Sequence, residues 1–337
     1  MAKIVLGMGT SHGPMLSTPP EQWGQRASAD RKNPRHFFKG RTYSYDELLT
    51  ERADEHLEQQ VSPEIWRERH ERCQRAIAEL ARVYREVKPD VAVIVGNDQR
   101  EIFSDAVTPP FSVFWGQDLI NEQPDLDYLE KLSPGLAIAV PGHAPPQKLH
   151  HPGHPELGRH IIECMTKSDF DVTSITRLPQ GPAGHDAAPH AFGFIYRQIM
   201  NDDVIPHVPV ILNTFFPPNQ PTAKRCYDFG KCLTSAIQSW DSDKTVALFA
   251  SGGLTHFVIN EEIDRIFLAA AQERRIDKVT ELGEQIYQSG TSEIKNWIPV
   301  VGAMSELKAD MHVVDYVPCY RSEAGTGNAM GFVYWRP

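Results

Sequence analysis

Cysteine is scarce and unpaired in this sequence. The five residues, Cys73, Cys164, Cys226, Cys232 and Cys319, are odd in number, scattered, and form no CxxC pair. This excludes a disulfide framework and suits reduced thiols in a cytoplasmic protein. Long apolar runs are also missing: none approaches the roughly 18 residues of a membrane span, and the first residues lack the apolar region of a signal peptide. A basic excess is absent, with 34 Lys and Arg against 44 Asp and Glu and a net charge of −10. No electrostatic footprint for nucleic acid follows from such a balance. There is no internal repeat, low-complexity tract or linker. GMGTSHG at 7–13 lacks the third glycine of the dinucleotide fingerprint. Ser251 and His256 would suit a hydrolase, but SGGLTH at 251–256 is not a GxSxG elbow.

What remains is an ordinary globular composition, 41% hydrophobic and 23% charged, on a chain long enough to bury a sizeable core. Apolar strand-like runs at 4–8, 91–95, 111–115, 136–140, 170–175, 208–213 and 246–250 alternate with helical patterns. Ser62-Pro63-Glu64 opens the clearest helix, with a serine cap, proline at the first position and an acid in the first turn. Further helices are predicted at 156–167, 191–200, 221–240, 260–271, 278–288 and 292–304, and two closing strands near 311–317 and 329–335. Strand and helix in alternation predict an α/β fold with a mostly parallel central sheet flanked by helices. One catalytic domain spanning 1–337 is expected. The region 19–60, polar and aromatic without clear periodicity, reads as a lid or interface excursion.

Three of the strands run straight into polar residues: Ile4–Met8 into Gly9-Thr10-Ser11-His12, Val91–Val95 into Gly96-Asn97-Asp98-Gln99-Arg100-Glu101, and Val246–Ala250 into Ser251-Gly252-Gly253 and then His256. Ligands of α/β sheets bind beyond the carboxyl ends of strands, so His12 and His256 are candidate functional residues. His185, in a Gly/Pro loop before an apolar helix, is a third. His143, His150, His151 and His154 lie in a Pro-rich loop without a carboxylate at fixed spacing, a weak metal pattern. Glu293 opens a helix, where acids are common. With strand-end histidines it completes the two-histidine, one-carboxylate set of non-haem Fe(II) sites.

Several motifs in one order then matter together: GxGTSHGP at 7–14, PDVAVIVGNDQ at 89–99, GHPELGRHI at 153–161, GHDAAPHAFGFIY at 184–196, NTFFPP with KRC at 213–226, SGGLTH at 251–256, SGTSE at 289–293 and GTGNAMGF at 325–332. In these the chain resembles the class III extradiol ring-cleavage dioxygenases, the protocatechuate 4,5-dioxygenase β-subunit-like family. Within that family, TSHGPML followed by TPPEQWG and the long excursion is most similar to the 3-O-methylgallate dioxygenases.

The resemblance implies Fe(II)-dependent meta cleavage of a catecholic or gallate-type acid with O2. It matches His12 to the first iron histidine, Glu293 to the iron carboxylate, His256 to the catalytic histidine and His185 to an acid–base histidine. Two positions depart from the family pattern. Gln99 stands where relatives carry the second iron histidine, which leaves Gln99, Glu101 or water for that coordination position. Gly184 stands where many relatives have Asp. Arg321, Thr326 and Asn328 are expected near a substrate carboxylate. The expected partners are a small catecholic substrate, O2 and a second copy in a homo-oligomer (dimer), with neither nucleic acid nor membrane. A non-catalytic homologue with a degraded metal site, and a zinc hydrolase on the same scaffold, are the rival expectations.

Overall fold

The computed structural model describes residues 1–133, 135–182, 184 and 186–337. Its strands are β1 (Lys3–Thr10), β2 (His36–Phe38), β3 (Arg41–Tyr43), β4 (Val91–Asn97), β5 (Phe111–Phe114), β6 (Asp118–Asn121), β7 (Leu149–Pro152), β8 (Thr173–Ile175), β9 (His207–Leu212), β10 (Thr245–Ser251), β11 (His256–Val258), β12 (Asp310–Tyr320) and β13 (Thr326–Arg336). Its helices are α1 (Trp23–Lys32), α2 (Tyr45–Glu51), α3 (Pro63–Val87), α4 (Leu126–Leu129), α5 (Pro155–Lys167), α6 (His190–Phe194), α7 (Ala223–Ser239), α8 (Glu261–Glu273), α9 (Ile276–Thr280) and α10 (Ile294–Glu306). None of these helices is long and apolar enough to cross a membrane.

The centre of the main sheet is parallel: β1, β10, β4 and β9 lie side by side. β5 joins β9 antiparallel, and β8 joins β5 parallel. At the other end β13 runs antiparallel to β1, β11 and β12. Both faces of the centre are covered, which is why these strands are apolar throughout rather than alternating with polar residues. Successive side chains still go to opposite faces. Val91, Val93 and Val95 of β4 join one core with α7 and α10, while Ala92 and Ile94 join the other with α3 and α6.

The glycines of GMG in β1 serve packing. A Cβ on Gly7 would lie 2.6 Å from Met304 Sδ, and one on Gly9 2.6 Å from a ring carbon of Trp297. Helix α10 can therefore lie close on the sheet, which brings its amino end, with Glu293, to the strand ends.

Three expectations change. The 136–140 run is not a strand but a 3-10 turn, Ala137–Gly142; Pro141 has no N–H for a ladder. The helix expected over 278–288 is short, α9, because Gly283 takes φ +80° and turns the chain. The 191–200 helix is α6 running into a π turn, Ile195–Ile199.

The 19–60 excursion is built rather than loose. It holds α1, the β2–β3 hairpin, and α2 capped reciprocally by Ser44 and Glu47. Phe38, Tyr45 and Leu48 pack with Val258 of β11 and Ala324, so the excursion is anchored at one edge of the strand ends.

Candidate active site

Because β1, β10 and β4 are neighbours, their carboxyl ends deliver His12, Ser251 and Asn97 to one place. Glu293, at the end of a 3-10 turn (Ser289–Glu293) leading into α10, is buried there. Its Oε1 accepts from Asn97 Nδ2 at 3.2 Å and Gln99 Nε2 at 3.0 Å, and its Oε2 from the Gly253 N–H at 2.9 Å. His12 Nε2 lies 3.2 Å and His256 Nε2 3.6 Å from the same Oε2. The Gly-Gly break is steric: a Cβ on Gly252 would sit 2.7 Å from the Glu293 carbonyl oxygen, and one on Gly253 would enter the His256 ring.

The protons on these histidines follow from their other nitrogens. His256 Nδ1 is 2.8 Å from the Leu254 carbonyl, which only accepts, so Nδ1 carries the hydrogen. Ser251 Oγ donates its one hydrogen to the Ala191 carbonyl at 2.6 Å, so it accepts from His12 Nδ1 at 2.9 Å. In the neutral rings both Nε2 atoms are then bare lone pairs turned toward a carboxylate oxygen. Among the described residues His12 Nε2 has no hydrogen-bond partner despite its burial. Burial pushes the His12 imidazole below its ordinary value, which favours that neutral form. Burial resists the charge of Glu293, but a positive charge on the facing His256 and His12 rings, when they are protonated, holds its carboxyl well below the usual range.

A second carboxylate–histidine pair stands beside the first. Glu101 Oε2 is 2.7 Å from His190 Nδ1, and its Oε1 accepts the His190 backbone N–H at 2.8 Å. The His190 ring meets the His12 ring edge-on at 4.7 Å between centroids, and the His143 ring at 5.8 Å. Burial works against both charges, yet their attraction holds Glu101 down at about 2 and lifts His190 to about 9. Burial pushes His143 down to about 3. His190 was not among the sequence candidates; the signal was available in Pro189-His190 at a helix start, next to an apolar run.

His12, Glu293, Gln99 and His256 are thus brought together, while Glu101 is committed to His190. Gln99 reaches Glu293 through its amide N–H. Asp98 accepts from the backbone N–H groups of Glu101, Ile102 and Phe103 and so shapes this turn. Arg321 and Thr326 both bond to Asp30 of α1, and Arg321 Nη1 also donates to Asn328 Oδ1. Asn328 is the cross-strand partner of His256. The histidine-rich loop divides: His150 pairs with Asp118, His151 packs on Tyr196 and His154 caps α5. His185 lies outside the described residues.

A family profile described as the catalytic LigB subunit of aromatic ring-opening dioxygenase matches residues 57–325. The chain belongs to this LigB family. Gln99, His256 and Glu293 fall inside the matched range; His12 and most of the excursion precede it. Gallate dioxygenase of Pseudomonas putida is 28% identical over 180 residues, 49% of this chain and 50% of that protein. The chain therefore spans about half the length of this curated relative. The crystal structure of an uncharacterised protein from Escherichia coli K12 is similar at a TM-score of 0.42 and 13% identity, over 76% of this chain and 91% of that one.

Whether these residues fit a metal, as LigB-family dioxygenases generally require, turns on the donor set. Among the described residues no three His, Cys, Asp or Glu side chains form a ready-made cage. However, His12 Nε2 and His256 Nε2 are two further acceptors facing Glu293 Oε2, which takes the Gly253 N–H. Lone pairs so arranged call for a cation, and imidazole with carboxylate suits Fe(II). The Ser251 hydroxyl on His12 Nδ1 is the outer support that ligating histidines usually have. The set fits a metal held by His12 and Glu293, with the Gln99 amide beside Glu293 Oε1.

Proposed function

We propose that this LigB-family protein is an Fe(II)-dependent extradiol dioxygenase that cleaves a catecholic or gallate-type aromatic acid with O2. The observation that carries the reading is the convergence of the bare Nε2 atoms of His12 and His256 on buried Glu293. His12 and Glu293 would hold the iron, with the Gln99 amide or water beside them. Bound iron would draw the two vicinal hydroxyl oxygens and O2 to one centre and carry electrons between them.

The chain's own residues do the rest. His256 Nε2, kept bare by the Leu254 carbonyl, accepts a proton from a substrate hydroxyl. His185 supplies or takes the second proton. The His190–Glu101 pair fixes the wall against which the His12 ring is oriented. Arg321, Thr326 and Asn328 frame the carboxylate end of the substrate, and the 19–60 excursion closes that side in the manner of a lid. The assembly is a homo-oligomer, and 3-O-methylgallate is the proposed substrate, gallate the nearest competitor.

The second reading, a binding protein with a degraded metal site, has one observation in its favour. Gln99 and Asn97 both donate to Glu293 Oε1, a network that is satisfied without metal. Anaerobic loading with Fe(II), followed by O2 uptake on 3-O-methylgallate, gallate and protocatechuate, separates the two. Uptake with ring opening is expected. Stoichiometric iron with no uptake on any of the three would leave the binding reading.

A further inference from the structure

Helix α1 carries Arg26 and Asp30 one turn apart, so both side chains lie on the same face. Both oxygens of Asp30 are taken: Oδ1 by Arg321 Nη2 at 2.9 Å, and Oδ2 by Arg321 Nε and Thr326 Oγ1, each at 2.6 Å. Arg26 has no such partner. Its Nη1 is shut off from solvent and, among the described residues, makes no hydrogen bond. The charges acting on it are those of Arg321, which repels it, and of Asp30, already paired. The group therefore holds two guanidinium ions and one carboxylate, leaving one positive charge, part-buried, without compensation among the described residues.

That charge lies one helical turn from Asp30, whose partner Arg321 leads toward the active site. Arg321 Nη1 donates to Asn328 Oδ1 at 3.2 Å, and Asn328 sits opposite His256 in the β11–β13 pairing. A Cβ on Gly13, the residue after His12, would lie 3.1 Å from Asn328 Nδ2. The stem of Arg26 passes close to the turn at Gly135, where a Cβ would lie 2.8 Å from Arg26 Cγ. A buried charge without a partner is strongly unfavourable, and an arriving opposite charge relieves it. The planar guanidinium fork matches a carboxylate in particular.

We propose that Arg26 is the residue that binds the ring carboxylate of the substrate, making the protein selective for dihydroxy- and trihydroxybenzoates over catechols without an acid group. Arg321 and Asp30 are positioning residues: their ion pair is complete, and it fixes α1 against β13. The proposal rests on the ring-cleavage reading, and it assigns to the excursion a direct part in specificity.

The test compares iron-loaded wild type with Arg26→Met, which keeps the packed stem and removes the charge, and with Arg26→Lys. The substrates are gallate and pyrogallol, identical except for the carboxylate. The gallate-over-pyrogallol ratio of kcat/KM should fall at least about 30-fold in Arg26→Met, mainly through KM, as expected when one partner of a buried charge pair is truncated. Arg26→Lys should recover part of it. The thermal midpoint of ligand-free Arg26→Met should not fall, because the lost charge had no partner. An unchanged ratio, or a loss of midpoint with both substrates affected equally, would overturn the proposal and make Arg26 structural. If the wild type cleaves neither compound, nor 3-O-methylgallate, the ring-cleavage reading fails. Calorimetry of gallate and pyrogallol on the protein as isolated then decides the subsite: preference for gallate in wild type and not in Arg26→Met supports it, and no preference rejects it.

Discussion

Two carboxylates of one site, Glu293 buried and Glu101 part-buried, behave in opposite ways. Glu101 is finished: a histidine ring and a backbone N–H satisfy its two oxygens. Glu293 also takes three N–H donors, but its Oε2 faces in addition the bare Nε2 atoms of two imidazole rings whose hydrogens sit on the far nitrogens, at Ser251 and the Leu254 carbonyl. Carboxylate and histidine together thus make either an ion pair or a metal nest. On the proposed reading the chain places one of each side by side, and the His12–His190 ring contact joins them.

The comparison breaks most visibly at His256. His256→Ala should still take up iron and catechol but lose turnover at least about a hundredfold, the usual cost of a removed acid–base group. Near-wild-type turnover would show that the bare Nε2 is not used. Glu101→Ala should leave iron affinity almost normal while destabilising the fold by ~3 kcal/mol, because it strands a buried His190 charge. A large loss of iron with an unchanged denaturation midpoint would instead make Glu101 a ligand.

A smaller effect is expected far from both carboxylates. His207 is buried between the Tyr196 hydroxyl and the Ile205 carbonyl, and burial pushes it down to about 4. Its folded value lies below the unfolded one of about 6.5, so the unfolded chain binds the extra proton between the two. The stability it protects is therefore present above about pH 6.5 and is lost as the pH falls toward 4, by up to ~3 kcal/mol. Urea midpoints of wild type and His207→Gln, followed from pH 7 to 4, should show a shallower decline in the variant; parallel curves would contradict this.

Smallest is the change expected at Gln99. Gln99→His supplies an imidazole where the amide now donates to Glu293, and should keep or raise iron affinity by up to roughly tenfold. Gln99→Ala should lower it. Equal affinities in all three proteins would mean that water completes the coordination.

Much of this was legible in the sequence because it depends on local rules. The apolar runs ending in Gly or Ser gave the parallel centre, and His12, His256 and Glu293 stood where strand ends and a helix start meet. What was not legible depends on contacts between distant segments. The commitment of Glu101 to His190 joins residues 89 positions apart. Asp30 closing on Arg321 spans 291, and it explains why the aperiodic 19–60 region is ordered. The missed turn at 137–142 had strand-like composition but a proline within it. The shortened α9 had helical spacing but a glycine that the chain used to turn.

The central claim is that His12 and Glu293 hold iron. It is tested most directly by anaerobic Fe(II) titration of wild type, His12→Ala and Glu293→Gln, with denaturation midpoints taken alongside. The account predicts one iron per chain in wild type and none in either variant, with the variants still folded. Full iron occupancy in His12→Ala or in Glu293→Gln would contradict it.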